Sequence, residues 1–398
     1  MTGMNDETTI FANGLLPQIG LTDIVVGNGR ITSIGKSADP TNANIVDLCG
    51  NLVLPGLVDG HMHLDKTLFG LPWMPHAAGP TRMSRIETDK EILPKLAVPA
   101  RRRAALLLDR CIANGTAHVR THVDMHLEMG LSPLLEILTA REAYEGRLTI
   151  EIVAFPQAGV MRCPGVIDLI DAALDAGADL VGGIDPSVID RDPRGQLDAI
   201  FALADRRGVA IDIHLHEPGE LGLFSLEEIC ARTQVLGLSG KVTISHAFCL
   251  GMVPESAARN AAELLGRSGV AIATHGAGGS IIPPILMLRD AGVNVFAGND
   301  DVRDTWSPYG NADMLERAAL IGWKSDFRRD ELVAVAFDIV SAAGAKALSI
   351  EGYGIAVDNP ANFFTVDASC IPEAVGGHPP RKLVVHEGKI VAREGLTV

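Results

Sequence analysis

Leu52-Val53-Leu54-Pro55-Gly56-Leu57-Val58-Asp59-Gly60-His61-Met62-His63-Leu64-Asp65 is the run from which the chain is read. Apolar residues lead into two histidines one residue apart. On a strand, residues i and i+2 point to the same face. His61 and His63 therefore present two imidazoles to one point, which is what a metal ion needs. Such a pair also occurs as ordinary core histidines, so the other ligands must come from elsewhere in the chain.

Downstream, the pattern is strand then helix, repeated. Strands are expected at Leu52–His63, Ala117–Asp124, Leu148–Pro156, Asp179–Asp185, Val209–His216, Val242–His246, Val270–His275 and Val293–Asp300. Helical stretches such as Arg101–Asn114, Ile167–Ala176, Gly195–Arg207 and Ala257–Arg267 lie between them. Eight strands with intervening helices predict an α/β fold, a (β/α)8 barrel. A doubly wound open sheet is the alternative, and no Gly-x-Gly-x-x-Gly follows a strand to support it. The stretch from Lys66 to Pro99 carries little regular pattern and reads as a lid, a partner contact or a solvated insertion.

Both ends of the chain read as hairpins. Asp23–Val26 and Arg30–Ile34 flank Gly27-Asn28-Gly29, and Lys382–Val385 and Lys389–Ala392 flank His386-Glu387-Gly388. One small β domain built from both termini is expected, with residues 1–54 and 351–398 contributing to it and 55–350 forming the barrel.

Nearly every expected strand ends in a residue that can bind metal or move a proton. These are His61 and His63; His122 and Asp124; Gln157; Asp185; His214, His216 and Glu217; His246; His275; and Asp300 with Asp301. In a barrel, the C-terminal strand ends ring one cavity. His61, His63, His214 and Asp300 make a set of three nitrogens and one oxygen that suits one Zn2+ or Fe2+ with a position left for water. Glu217, placed at the rim, and His246 are then the expected proton carriers.

Composition narrows the class. The 398 residues are 47% hydrophobic, enough for a large core, and carry a formal charge of -15. That charge argues against nucleic acid or an anionic membrane as partner. The six cysteines form no Cys-x-x-Cys pair. Met1 to Thr9 shows no basic-then-apolar signal pattern, and no apolar run reaches the roughly 18 residues of a membrane span. A cytoplasmic location is the expectation, with homo-oligomer formation left open.

Together, several motifs resemble those of the amidohydrolase superfamily, within it the cytosine deaminase-like branch. They are Asp59-Gly60-His61-Met62-His63-Leu64-Asp65, His118-Val119-Arg120-Thr121-His122-Val123-Asp124, Ala154-Phe155-Pro156-Gln157, Asp212-Ile213-His214-Leu215-His216-Glu217, Ser245-His246 and Asn299-Asp300-Asp301-Val302-Arg303-Asp304-Thr305-Trp306. The resemblance spans essentially the whole chain. It implies a barrel with a small β-sandwich from both termini. His61, His63, His214 and Asp300 match the ligands of one metal. Glu217 matches a carboxylate that shuttles a proton to a ring nitrogen, and His246 a histidine that orients the attacking hydroxide together with Asp300. Gln157 matches a glutamine that reads the amide edge of a pyrimidine. Asp301 and Trp306 match substrate neighbours.

The chain also departs from that pattern. His216 stands where the nearest cytosine deaminases carry aspartate. Gly183-Ile184-Asp185-Pro186 replaces a Pro-His pair and looks closer to relatives that hydrolyse N-substituted triazines. Thr274-His275-Gly276 differs at the seventh strand. No lysine ends the fourth strand, where binuclear relatives carry a carbamylated one.

The expected activity is hydrolysis of a carbon–nitrogen bond other than a peptide bond. A cytosine-like heterocycle is deaminated by metal-held hydroxide with release of ammonia. The alternative is removal of an N-substituted amine from a triazine, or opening of a cyclic amide. A non-catalytic binding protein on a hydrolase fold is the rival of another class, and the retained ligand set weighs against it.

Overall fold

A computed structural model describes residues 8–36, 43–276 and 281–398; the polar stretch 1–7, read above for a targeting signal, lies outside them. Eight parallel strands follow one another in space in sequence order: β1 (Leu57–Met62), β2 (Thr116–Asp124), β3 (Thr149–Phe155), β4 (Leu180–Ile184), β5 (Ala210–Leu215), β6 (Val242–His246), β7 (Val270–Thr274) and β8 (Val295–Ala297). They form the expected (β/α)8 barrel. Its seam is narrow. Met62 and Asp300 share a single parallel bridge, and the Asp300 N–H donates to the His61 carbonyl at 2.7 Å.

Two glycines make that seam possible. A Cβ on Gly298 would lie 2.4 Å from the backbone N and O of His61, and one on Gly60 would lie 2.4 Å from the Phe296 ring. Any side chain at either place would push the first and last strands apart, and with them two of the expected metal ligands.

The run Leu52–Asp65 holds two strands, not one. Leu52–Pro55 belongs to a second sheet, and the barrel begins at Leu57. Gly56 sits at the break, where a Cβ would meet the Ala117 Cβ at 2.6 Å. The second sheet is mixed and built from both ends of the chain. Its order is Leu396–Thr397, Lys389–Arg393, Arg381–His386, Phe363–Val366, Leu52–Pro55, Thr9–Leu16, Gly20–Gly27, Arg30–Ile34, with Asn44–Asp47 also pairing Thr9–Leu16. Its side chains alternate as a pleat requires. Val53 and Phe363 join a core of their own with Phe11 and Ile24, whereas Leu52, Leu54 and Phe364 join the barrel core. The hairpin turns carry paired positive φ angles, +52° and +76° at Asn28 and Gly29, +46° and +75° at Glu387 and Gly388, as a type I′ turn demands.

The segment after β1 is more ordered than its pattern implied. It contains a helix, α1 (Arg82–Ile92), capped by Thr81, whose hydroxyl accepts the Ser84 N–H at 3.1 Å. Only Met83, Ile86 and Ile92 are apolar in its eleven residues, so no hydrophobic stripe announced it. What α1 buries, besides Ile86, is the carboxylate of Asp89. No helix among the described residues is long and apolar enough to cross a membrane.

Candidate metal centre and cavity

The β1, β5, β6 and β8 ends converge. Nε2 of His61 and Nε2 of His63 each lie 3.3 Å from Oδ1 of Asp300. Donor atoms of His61, His214, His246 and Asp300 lie within 4.8 Å of one another, and so do those of His61, His63, His122 and His214. The four residues expected from sequence are thus brought together, and His122 and His246 stand beside them. His122, 0% exposed near the end of β2, belongs to the motif His118–Asp124 but is not one of the four expected ligands.

These imidazoles fit a divalent ion. Among the described residues, His61 Nε2, His63 Nδ1, and both ring nitrogens of His122, His214 and His246 are buried without a hydrogen-bond partner. Buried polar atoms are nearly always paired, so this many orphans at one point mark a ligand site. Burial, foremost, holds His63, His214 and His246 well below the usual imidazole range. That direction favours the neutral imidazole, the form that metal ligation requires.

A hydrogen-bonded chain orients His61. Burial alone would raise the Asp212 carboxyl, but His122 and the Arg120 guanidinium, 3.1 Å away, keep it below the usual carboxylate range. The Ser245 hydroxyl gives its one proton to Asp212 Oδ1 at 2.7 Å. Its oxygen must then accept from Nδ1–H of His61 at 2.9 Å, which leaves the Nε2 lone pair directed at the centre. Asp59 performs a similar service for β8 by accepting the Asn299 N–H at 2.9 Å and the Asn299 amide at 2.6 Å. Three site residues hold left-handed backbone: His246 at φ +74°, Asp300 at +60° and Asp185 at +31°. Strain of this kind persists only where the surroundings over-determine it.

The centre opens into a cavity of about 390 Å³. His63, His214, His246 and Asp300 form part of its wall, as do all three expected substrate neighbours, Gln157, Asp301 and Trp306. Burial, then Asp304 and Asp300, hold the Asp301 carboxyl well above its usual range. His216 stacks on His246 with centroids 4.3 Å apart and planes 21° apart. From α1 come Arg82, paired with Asp185 at 2.9 Å, and Arg85, 5.9 Å from the Trp306 ring centroid. The stretch read as a lid or insertion is therefore part of the cavity wall.

Glu217 departs from expectation. It is 1% exposed and does not line this cavity. Its Oε1 accepts the N–H groups of Ser187 at 2.6 Å and Val188 at 2.8 Å, and its Oε2 accepts the Ser225 hydroxyl at 2.5 Å. The carboxylate is engaged by the loop after β4 and by the helix Gly219–Val235. The rim position is expected because Glu217 follows a strand and precedes Pro218-Gly219; the strand ends at Leu215, and the chain after it carries Glu217 toward the loop after β4.

A family model described as "Amidohydrolase family" matches residues 44–392. The chain is similar to the solved N-isopropylammelide isopropylaminohydrolase of Burkholderia multivorans, 42% identical, covering 98% of this chain and 100% of that one with a TM-score of 0.95. It is 29% identical to the N-isopropylammelide isopropyl amidohydrolase of Pseudomonas sp. strain ADP over 94% of each chain. It is also similar to the solved 5-methylcytosine deaminase of Klebsiella pneumoniae, 26% identical over 98% of this chain and 99% of that one, TM-score 0.87.

Proposed function

The chain belongs to the amidohydrolase family, a hydrolase of carbon–nitrogen bonds in heterocycles, and from that premise we propose that its substrate is an oxo-substituted triazine from which it removes an N-substituted amine. One observation carries the reading. The cavity at the His61–His63–His214–Asp300 cluster keeps the donor set, while its wall at the β4 and β5 ends is the Asp185–His216 pair, 2.9 Å apart. That wall is where the sequence departs from cytosine deaminases toward triazine hydrolases, and the 42% identity to an ammelide hydrolase supports the same choice.

In this proposal His61, His63, His214 and Asp300 hold one Zn2+ or Fe2+ ion. Bound there, the ion supplies a Lewis acid able to lower the pKa of water to roughly 7. The residues of the chain do the rest. His246 Nδ1, 3.9 Å from Asp300 Oδ2, receives the proton that the attacking water sheds. His246 then returns that proton to the departing amine, while His216, with Nδ1–H donated to Asp185, presents the lone pair of Nε2 to the cavity as an acceptor. Glu217 holds the loop after β4 in place. Gln157, Asp301 and Trp306 bound the space that the ring occupies.

A second reading is deamination of a cytosine-like ring with release of ammonia. The likeness to 5-methylcytosine deaminase and the glutamine at 157 favour it. Product analysis separates the two. With N-isopropylammelide, cytosine and a pterin offered in turn, isopropylamine release with kcat/KM at least about a hundredfold above ammonia release from the others is expected. Ammonia from cytosine at an equal or higher rate would select the second reading instead.

A further inference from the structure

Lys66 is 2% exposed and lines the cavity. A lysine is almost never buried unless paired. Its Nζ donates to Oε1 of Gln157 and lies 5.4 Å and 5.7 Å from the ring centroids of Phe155 and Trp306. Burial favours loss of its proton, but Asp124, Asp65, Asp89 and Asp301 outweigh burial and hold its pKa above the ordinary value.

Gln157 is engaged at both ends of its amide. Nε2 donates to Asp89 Oδ2 at 3.0 Å, so Oε1 faces Lys66. Asp89 comes from α1 and also accepts Trp306 Nε1 at 2.8 Å and the Thr305 hydroxyl. The amide expected to read the ring is thus committed within the protein. In front of it stands an ammonium with three donors and no acceptor, one donor being used by Gln157.

We propose that Lys66 reads the substrate: its ammonium donates to a ring carbonyl oxygen, while Gln157 and Asp89 act as positioning residues behind it. The inference rests on the function proposed above and deepens it, because a donor-only group dictates the substrate class. A glutamine amide could face either a ring oxygen or a ring amino group. Lys66 accepts only an oxo edge and rejects an amino group in its place. The cavity therefore takes oxo-heterocycles, and an analogue with an amino group replacing that oxygen leaves two sets of donors opposed.

The test has two arms. In the wild-type enzyme, competitive inhibition is measured for cyanuric acid and for the analogues in which one and two ring oxygens are replaced by amino groups. The fully oxo ring should bind at least about tenfold more tightly than the diamino ring; equal affinities, or the reverse order, overturn the proposal. This arm needs no turnover, so it stands even if no triazine proves to be a substrate. In the second arm, kcat and KM are measured for Lys66→Met, Lys66→Arg and Gln157→Leu with the best oxo substrate and its amino-for-oxo analogue. Lys66→Met should raise KM for the oxo substrate roughly a hundredfold and erase the preference, with metal content unchanged. Lys66→Arg, still a donor, should keep the preference, and Gln157→Leu should weaken it less than Lys66→Met. Equal losses on both substrates in Lys66→Met, or a preference that survives it, overturn the proposal. If Lys66→Met fails to fold, Lys66→Arg and the inhibition series decide. Failure to release amine from any heterocycle, with the inhibition order as stated, would sink the proposed reaction and leave Lys66 as the reader.

Discussion

Asp185 Oδ2 lies 2.9 Å from Nδ1 of His216, and Asp185 Oδ1 accepts the His216 backbone N–H at 2.6 Å. Arg82 of α1 reaches the same Oδ2 at 2.9 Å. One buried carboxylate therefore joins the end of β4, the end of β5 and the helix that walls the cavity. Asp185→Asn keeps the shape but loses the charge that fixes the His216 ring and holds Arg82. The expected outcome is unchanged metal content with kcat/KM reduced roughly 10- to 100-fold, the usual loss when a partner that orients an active-site group is removed. Steady-state kinetics beside metal analysis checks it; wild-type kinetics would show that the pair has no bearing on turnover.

Glu217 is expected to matter for stability more than for the reaction. Its carboxylate accepts three hydrogen bonds from Ser187, Val188 and Ser225, and bonds to a charged group contribute roughly 1.5–3 kcal/mol each. Glu217→Gln should lower Tm by several degrees while kcat changes less than about tenfold. An unchanged Tm with kcat down by roughly 10²–10⁴ would return Glu217 to the role of proton carrier.

Much of the site is local in sequence, which is why it could be read there. His61 and His63 sit two apart at the end of one strand, His214 and His246 lie at the ends of two others and Asp300 lies three residues past β8, so local apolar patterns and barrel topology together bring them to one end. The terminal hairpins were equally local. What escaped depended on distant partners. Gln157 is engaged by Lys66 and Asp89, 91 and 68 residues away, and nothing in its neighbours reveals that its amide is already bound. Helix α1 escaped because its buried face is a carboxylate rather than an apolar stripe. The break at Gly56 escaped because both flanking strands are apolar and only the approach of Ala117 separates them.

Gly298 offers a test of the seam. A methyl group there would lie 2.4 Å from the His61 backbone, and neither partner is a flexible side-chain end that can swing aside. Overpacking of this kind typically costs about 1–3 kcal/mol. Gly298→Ala should lower Tm and also weaken metal retention, since it shifts His61 against Asp300. Thermal melts with and without added Zn2+ read both effects, and a variant with wild-type Tm and metal content would mean that the first and last strands have room to spare.

A pH effect should come from the opposite end of the barrel. Burial, with His386 as the lesser cause, lowers His118 to about 3. Its Nδ1 lies 2.6 Å from the Thr149 hydroxyl, and the His386 and Tyr353 rings are 6.1 Å and 6.4 Å away. The unfolded chain takes up a proton at this residue below about pH 6.5 and the folded chain does not, so folding stability falls as the pH drops from 6.5 toward 3. The slope is at most about 1.4 kcal/mol per pH unit. Urea denaturation at pH 7, 6 and 5 should show this loss in the wild type and less of it in His118→Gln. Parallel pH profiles for the two proteins would exclude His118 as its source.

Removal and return of the metal bears most directly on the site as a whole. Protein stripped by prolonged chelation and dialysis should lose turnover of its heterocyclic substrate. Titration with Zn2+ or Fe2+ should restore it linearly to a plateau at about one ion per chain, and His61→Ala and His214→Ala should neither retain the ion nor recover. Full turnover by protein verified to be metal-free would contradict a metal centre at His61, His63, His214 and Asp300.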